Sequence, residues 1–199
     1  PPSNVKIGFR YLDSYGADKF NERISSVHVT VFDMNGRSVY NRQINKSSLS
    51  RFRGDNLHLD PGTYRVVCWG NIEQYSQMNP VLYNGMHFSD SYVQLDVANG
   101  HLSSDPVMYA PRPGSFTRAL GNDDIFRITV PESGSVEETI DFFSAHTEFN
   151  IIVKGLEDYS GADNIAPEVE VDNLPTGYDF DRQPTSGSTT YKNTTQYVT

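Results

Sequence analysis

The chain has 199 residues, 37% of them apolar, with a formal net charge of −9 and a single cysteine. That length and apolar fraction suit one large domain or two small ones with a real core. The acidic balance argues against nucleic-acid partners, one cysteine excludes an internal disulfide or a CxxC zinc site, and no apolar run approaches the roughly 20 residues of a membrane-spanning helix.

Charge is unevenly placed. Residues 1–110 carry 10 basic and 10 acidic side chains, whereas residues 111–199 carry 6 and 15. The whole acidic excess lies in the second half, and the step near residue 110 suggests two units. The start at Pro1-Pro2 has no basic, apolar or cleavage region, so any signal peptide is expected to have been removed. With 12 Tyr and 11 Phe, the composition favours strands.

In "NVKIGFRYL", Val5, Ile7, Phe9 and Tyr11 alternate with Lys6, Gly8 and Arg10. Alternation with period two marks a half-buried strand. Val27, Val29 and Val31 repeat it. Asn35-Gly36 is expected to supply the positive φ angles of a tight hairpin turn, with the return strand running through Val39, Tyr40 and Ile44. "NKSSLSRFRGDN" reads as a loop. The turn Pro61-Gly62 then opens the strand "TYRVVCWGN", with Tyr64, Val66 and Cys68 on one face and Arg65, Val67 and Trp69 on the other. Both faces are largely apolar, so this strand is expected to be central and covered on both sides. Cys68 then reads as a small buried hydrophobe, because nothing adjacent would activate a thiolate.

Beyond it, "NIEQYSQMNPVLYNG" is turn-rich and has room for one helical turn, while "YVQLDV" alternates again. "PVMYAPRPGS" carries Pro106, Pro111 and Pro113, which exclude a central strand, so it is expected to be the hinge between units. Strand patterns resume with Phe126, Ile128 and Val130, then with Val136, Ile140 and Phe142. They continue with Phe149, Ile151 and Val153, and with Val169 and Val171. The tail from Arg182 is polar and nearly coreless. No convincing helical stripe of eleven or more residues is present. The pattern predicts an all-β chain of two antiparallel sandwiches, residues 1–110 and an acidic 111–199.

Motifs for phosphate loops, dinucleotides, zinc proteases and serine hydrolases are absent. His28, His58, His87, His101 and His146 are scattered singly and form no local metal pair. The acidic pairs Asp123-Asp124, Glu137-Glu138 and Asp179/Asp181 read as solvated charge, since neighbours along a strand point to opposite faces. "GLEDYSGADN" fits a calcium loop poorly. No catalytic, cofactor or metal residues are expected. One tripeptide stands out as a candidate adhesion motif: Arg53-Gly54-Asp55, expected on a polar loop between strands. Turn chemistry is the plainer account of it.

Taken in order, "IGFRY", "VTVFDMNGRSVY", "LHLDPGTYRVVCWGN" and "AHTEFNIIVKGL" resemble the fimbrial anchor and accessory subunits of Bacteroidales-type pili, over about residues 4–180. The resemblance implies two tandem transthyretin-like β-sandwiches, the second here short or incomplete. It implies a lipoprotein whose acylated cysteine lies upstream of this chain, at the outer-membrane surface. It also implies a non-enzymatic fimbrial subunit whose partners are other subunits, joined by β-strand addition. The alternative is a glycan- or host-cell-binding β-sandwich adhesin module, for which the many aromatic residues speak.

Overall fold

The computed structural model describes residues 1–72, 76–79, 84–95, 108–109, 126–145, 151–152, 154–155, 168–181, 183–185 and 187–194. The alternating first segment forms β1 (Val5–Arg10), which buries Val5, Ile7 and Phe9. β1 is the middle of a three-stranded sheet. β4 (Gly54–Leu57) lies antiparallel on one side and β10 (Val136–Asp141) parallel on the other. Lys6 is in register with Glu137 and Arg10 with Asp141. Both pairs are bonded: Lys6 Nζ lies 2.6 Å from Glu137, and the Arg10 fork donates to both Asp141 oxygens at 2.6 and 2.9 Å. Exposed pairs add little stability. Their effect is on register, because a one-residue slip would break both and turn Ile140 out of the core.

The second sheet is built on β5 (Gly62–Gly70). β2 (Val27–Phe32) runs antiparallel beside it, followed by β3 (Ser38–Ile44). On the other side, β9 (Phe126–Val130) pairs with the first half of β5 and β8 (Met108–Tyr109) with its last two residues; β11 (Phe143–Ser144) extends from β8. The main core lies between these two sheets. Tyr64, Val66 and Cys68 meet Val27, Val29, Val31, Phe126, Ile128 and Val130 from their own sheet, and Ile7, Phe9 and Ile140 from the facing one. Phe9, Phe20 and Phe142 close one region of it, with ring centroids 5.6–6.1 Å apart.

The opposite face of β5 is covered as well. Val67 and Trp69 join Phe32, Met86, Phe88, Val93 and Phe180 in a second cluster. A third sheet carries part of it: β6 (Ser76–Asn79), β7 (Tyr92–Leu95) and β13 (Gly177–Asp179), with β7 in the middle. The central, two-faced strand expected from the sequence is present as expected. β12 (Glu168–Pro175) and β14 (Ser188–Thr194) form a separate antiparallel pair.

Several expectations need correction. Strand pairing crosses residue 110/111: β9 and β10, from beyond the expected boundary, complete sheets built by residues 5–70. Met108–Tyr109 lies within the proline-rich hinge yet is a strand between β5 and β11, since two residues suffice to bridge them. The loop after β3 holds helix α2 (Lys46–Arg51), following the four-residue α1 (Phe20–Arg23), and then β4. Asn45 caps α2, its side chain accepting from the Ser48 amide. The turn-rich segment after β5 contains β6, and the polar tail contains β14. In the β2–β3 turn Gly36 has φ 81°, but Asn35 is not among the residues at positive φ. The turn is instead organised by Asp33, whose carboxylate accepts from the Asn35 and Arg37 amides, both at 2.9 Å. Ile151 and Ile152 are exposed and outside any strand, while Phe149 and Val153 lie outside the described residues.

Candidate assembly surface

The tripeptide Arg53-Gly54-Asp55 is not on a displayed loop. Gly54 and Asp55 belong to β4, and Asp55 is 1% exposed. Its carboxylate accepts from Arg42 Nη1 at 2.6 Å and from Tyr40 Oη at 2.8 Å, both from β3. This ties the edge strands of the two facing sheets together. Burial lifts the Asp55 carboxyl above its ordinary range, although Tyr40, Arg42 and the Asn56 amide act against it. Tyr40 is pushed up to about 12, first by burial and then by Asp55. A Cβ at Gly54 would run into the Ile7 carbonyl and the Phe52 ring. Arg53 donates to Asp18 at 2.7 Å and lies 5.8 Å over the Phe20 ring. Each member therefore has a structural task inside the sandwich.

Cys68 is buried, and burial pushes its thiol far above the usual range. His28 is half-buried on β2, where burial lowers its pKa; His58 bonds the Pro2 carbonyl through Nδ1, and His87 bonds Ser89. His101, His146, Asp123-Asp124 and most of "GLEDYSGADN" lie outside the described residues. Glu137 and Glu138 are exposed on β10, and Asp179 accepts from the Gln183 amide at 2.8 Å. Among the described residues, no group of three His, Cys, Asp or Glu is placed to hold a metal ion.

Sequence reasoning passed over Asn71, at the end of β5. It sits at φ 62°, a conformation that Asn tolerates better than most residues. Its buried side chain accepts from the Ser25 amide at 2.9 Å and donates to the Arg23 carbonyl at 2.8 Å, pinning the segment before β2. The signal was present: a lone Asn between an apolar run and a turn.

The surfaces that remain are sheet edges. An edge strand offers unpaired main-chain groups to any extended chain that can reach them. β10 carries Glu137 and Glu138 on its exposed part, a usual way of discouraging such pairing. β3 is overlaid at its start, where Ser38 exchanges hydrogen bonds with Gly85 and Met86. The β12–β14 pair is different. Among the described residues it stands as a two-stranded sheet with no third strand. Val169 and Val171 are half-buried on one face of β12, and Glu168, Glu170 and Asp172 are exposed. The two strands meet through a register shift between Val171 and Leu174, and Thr190 donates to Asp172 at 2.6 Å.

Comparison with known proteins identifies the setting. The model of the family described as fimbrillin-A associated anchor proteins Mfa1 and Mfa2 matches residues 1–199. No curated protein matches the sequence. Among solved structures, a candidate adhesin from Bacteroides ovatus superimposes with a TM-score of 0.72 at 16% identity, covering 96% of this chain and 61% of its own. The fimbrial anchor protein Mfa2 from Porphyromonas gingivalis gives 0.58 at 15% identity, covering 96% and 66%. A candidate polysaccharide-binding protein from Bacteroides thetaiotaomicron gives 0.64 at 12% identity, covering 94% and 63%. At these identities the likeness is one of fold. The chain spans less than two thirds of the length of each of the three.

Proposed function

Because the chain belongs to the family of fimbrillin-A associated anchor proteins, which is not an enzyme class, we propose that it is a structural subunit of a surface fimbria, anchor or accessory, that accepts a strand from a neighbouring subunit at the β12–β14 sheet. The observation that carries this reading is the two-stranded state of that sheet among the described residues. A two-stranded ribbon is marginal in water and gains stability from a third strand and a covered apolar face. Val169 and Val171 supply such a face only partly covered. Main-chain pairing would give affinity, and side-chain pockets at alternate positions would give register. A location at the cell surface, attached to the outer membrane through a lipid anchor upstream of this chain, belongs to the same proposal. Mass spectrometry of the native N-terminal peptide tests that part.

The test of strand acceptance uses synthetic peptides from the termini of the other subunits of the same fimbria. The pairing peptide is expected to raise the melting temperature by several degrees, about 2–4 °C per kcal/mol for a chain of this size. The rise should persist in moderate salt, and alternate N-methylation of the peptide should abolish it. If no terminal peptide binds, or if N-methylation changes nothing, strand addition fails.

The rival is a glycan- or host-cell-binding module. Two of the similar structures are described as a candidate adhesin and a candidate polysaccharide-binding protein. Sugar stacking needs an exposed ring, and Tyr15 is 95% exposed. Glycan-array binding that is lost in Tyr15→Ala would favour this reading over strand acceptance.

A further inference from the structure

Two arginines stand side by side on the outer face of the second sheet. Arg65 on β5 and Arg127 on β9 are direct cross-strand partners. Opposite residues of an antiparallel pair have Cβ atoms about 4.5–5.5 Å apart, and like charges placed so are destabilising. Among the described residues neither has a carboxylate within ion-pair reach. Asp33 follows Phe32, the residue facing Arg65 from β2, but its Oδ1 accepts from the Asn35 and Arg37 amides of its own turn. Within the described residues this like-charge pair therefore carries no ion-paired counter-charge, and an incoming anion would supply one.

The pair is also held in place. The Arg65 guanidinium lies 5.5 Å over the Phe88 ring, at the rim of the second aromatic cluster, and its Nε is buried with no hydrogen-bond acceptor among the described residues. Arg127 is exposed beside it. Further along the same face the hydroxyls of Thr63 and Thr129 lie 3.1 Å apart, both on exposed residues. Two guanidinium forks with neighbouring hydroxyl donors match a planar oxyanion with several acceptor lone pairs.

We infer that the Arg65–Arg127 pair is a docking site for a carboxylate side chain on an acidic segment of a partner protein. Charge complementarity selects the occupant. A polyanionic glycan would be repelled by the acidic remainder of the chain, whereas one or two carboxylates on a peptide gain from the arginines at little such cost. The site is separate from the β12–β14 sheet and does not depend on strand acceptance there.

The experiment follows the side-chain Nε–H signals of the full chain by NMR during titration with an acetylated, amidated Gly-Glu-Glu-Gly peptide, with acetate, and with a heparin tetrasaccharide. The peptide is expected to shift the Arg65 and Arg127 signals saturably and to bind more tightly than acetate. Arg127→Gln, at an exposed position, is expected to weaken the peptide about ten-fold, the loss of one charge-assisted contact. It should also raise the melting temperature of the free protein, because a like-charge pair is removed. Arg51→Gln, on α2, should leave peptide binding unchanged. Absence of a saturable shift, or unchanged binding and melting in Arg127→Gln, overturns the proposal. Tighter binding of heparin than of the peptide overturns the assignment to a protein partner.

Discussion

Asp55 shows how a residue that looks like a recognition signal can be a structural one. Its carboxyl is lifted above the ordinary range chiefly by burial. A raised folded value means that the folded chain holds the proton more tightly than the unfolded chain. The contribution to stability is therefore complete below the unfolded value, about pH 4, and is lost as pH rises through the folded value. Asp55→Asn mimics the neutral carboxyl and removes the dependence. Urea midpoints of the wild type, taken relative to those of Asp55→Asn, should fall as pH rises above about 4. A relative gain over that window would mean that Arg42 and Tyr40 outweigh burial. Cys68 gives the complementary case. Its thiol faces Val29, its register partner on β2, from within the main core. Cys68→Ala should cost about 1–2 kcal/mol through lost packing, and the native wild type should resist a thiol reagent until it unfolds. Prompt labelling under native conditions would show that the core opens there.

At the scale of elements, what the sequence made legible follows from how each strand meets its surroundings. β1, β2, β5 and β9 were readable because each buries every second side chain against the main core, so the pattern is written in Val, Ile, Phe and Tyr. Trp69 and Val67 even signalled that β5 is covered twice. β4 was not readable. Its four residues, Gly54–Leu57, carry only one large apolar side chain, and Gly54 is required by the close approach of Ile7 and Phe52 rather than by a turn. α2 is too short to show a helical stripe, although Asn45 with Leu49 four residues on was a usable capping signal. β14 is made of Ser, Thr, Tyr, Lys and Asn, and its place is set by pairing with β12, which no local pattern records. The polar loop expected for the tripeptide is instead β4 for the same reason: a polar triplet looks exposed until its partners, distant in sequence, are known. The role of Gly54 is directly testable. Gly54→Ala should cost about 1–3 kcal/mol by overpacking the β1–β4 approach, measured by chemical denaturation. A neutral result would show that the approach can relax.

For the whole molecule, the decisive feature is that the sheets are closed by strands distant in sequence. β10 supplies one side of the first sheet and β9 one side of the second, and with them come Phe126, Ile128, Val130, Ile140 and Phe142 of the main core. The charge step at residue 110 reflects surface composition, which folding constrains weakly, so it does not mark where the core ends. A fragment of residues 1–110 keeps β1 to β8 but loses that apolar group, and with it the parallel partner of β1. It is expected to show no cooperative unfolding transition. A fragment of residues 1–145 restores the main core while still lacking Phe180, which sits 6.1 Å from the Trp69 ring and 6.0 Å from Phe32. It should unfold cooperatively but with lower stability, by about 3 kcal/mol or more if Phe180 behaves as a large core aromatic. Trp69 fluorescence should be red-shifted relative to the full chain as its outer face meets water. Denaturant titration of the two fragments and the full chain distinguishes the cases. If residues 1–110 alone unfold cooperatively with a steep denaturant slope, β9 and β10 are additions to a finished sandwich, and the main core does not need them.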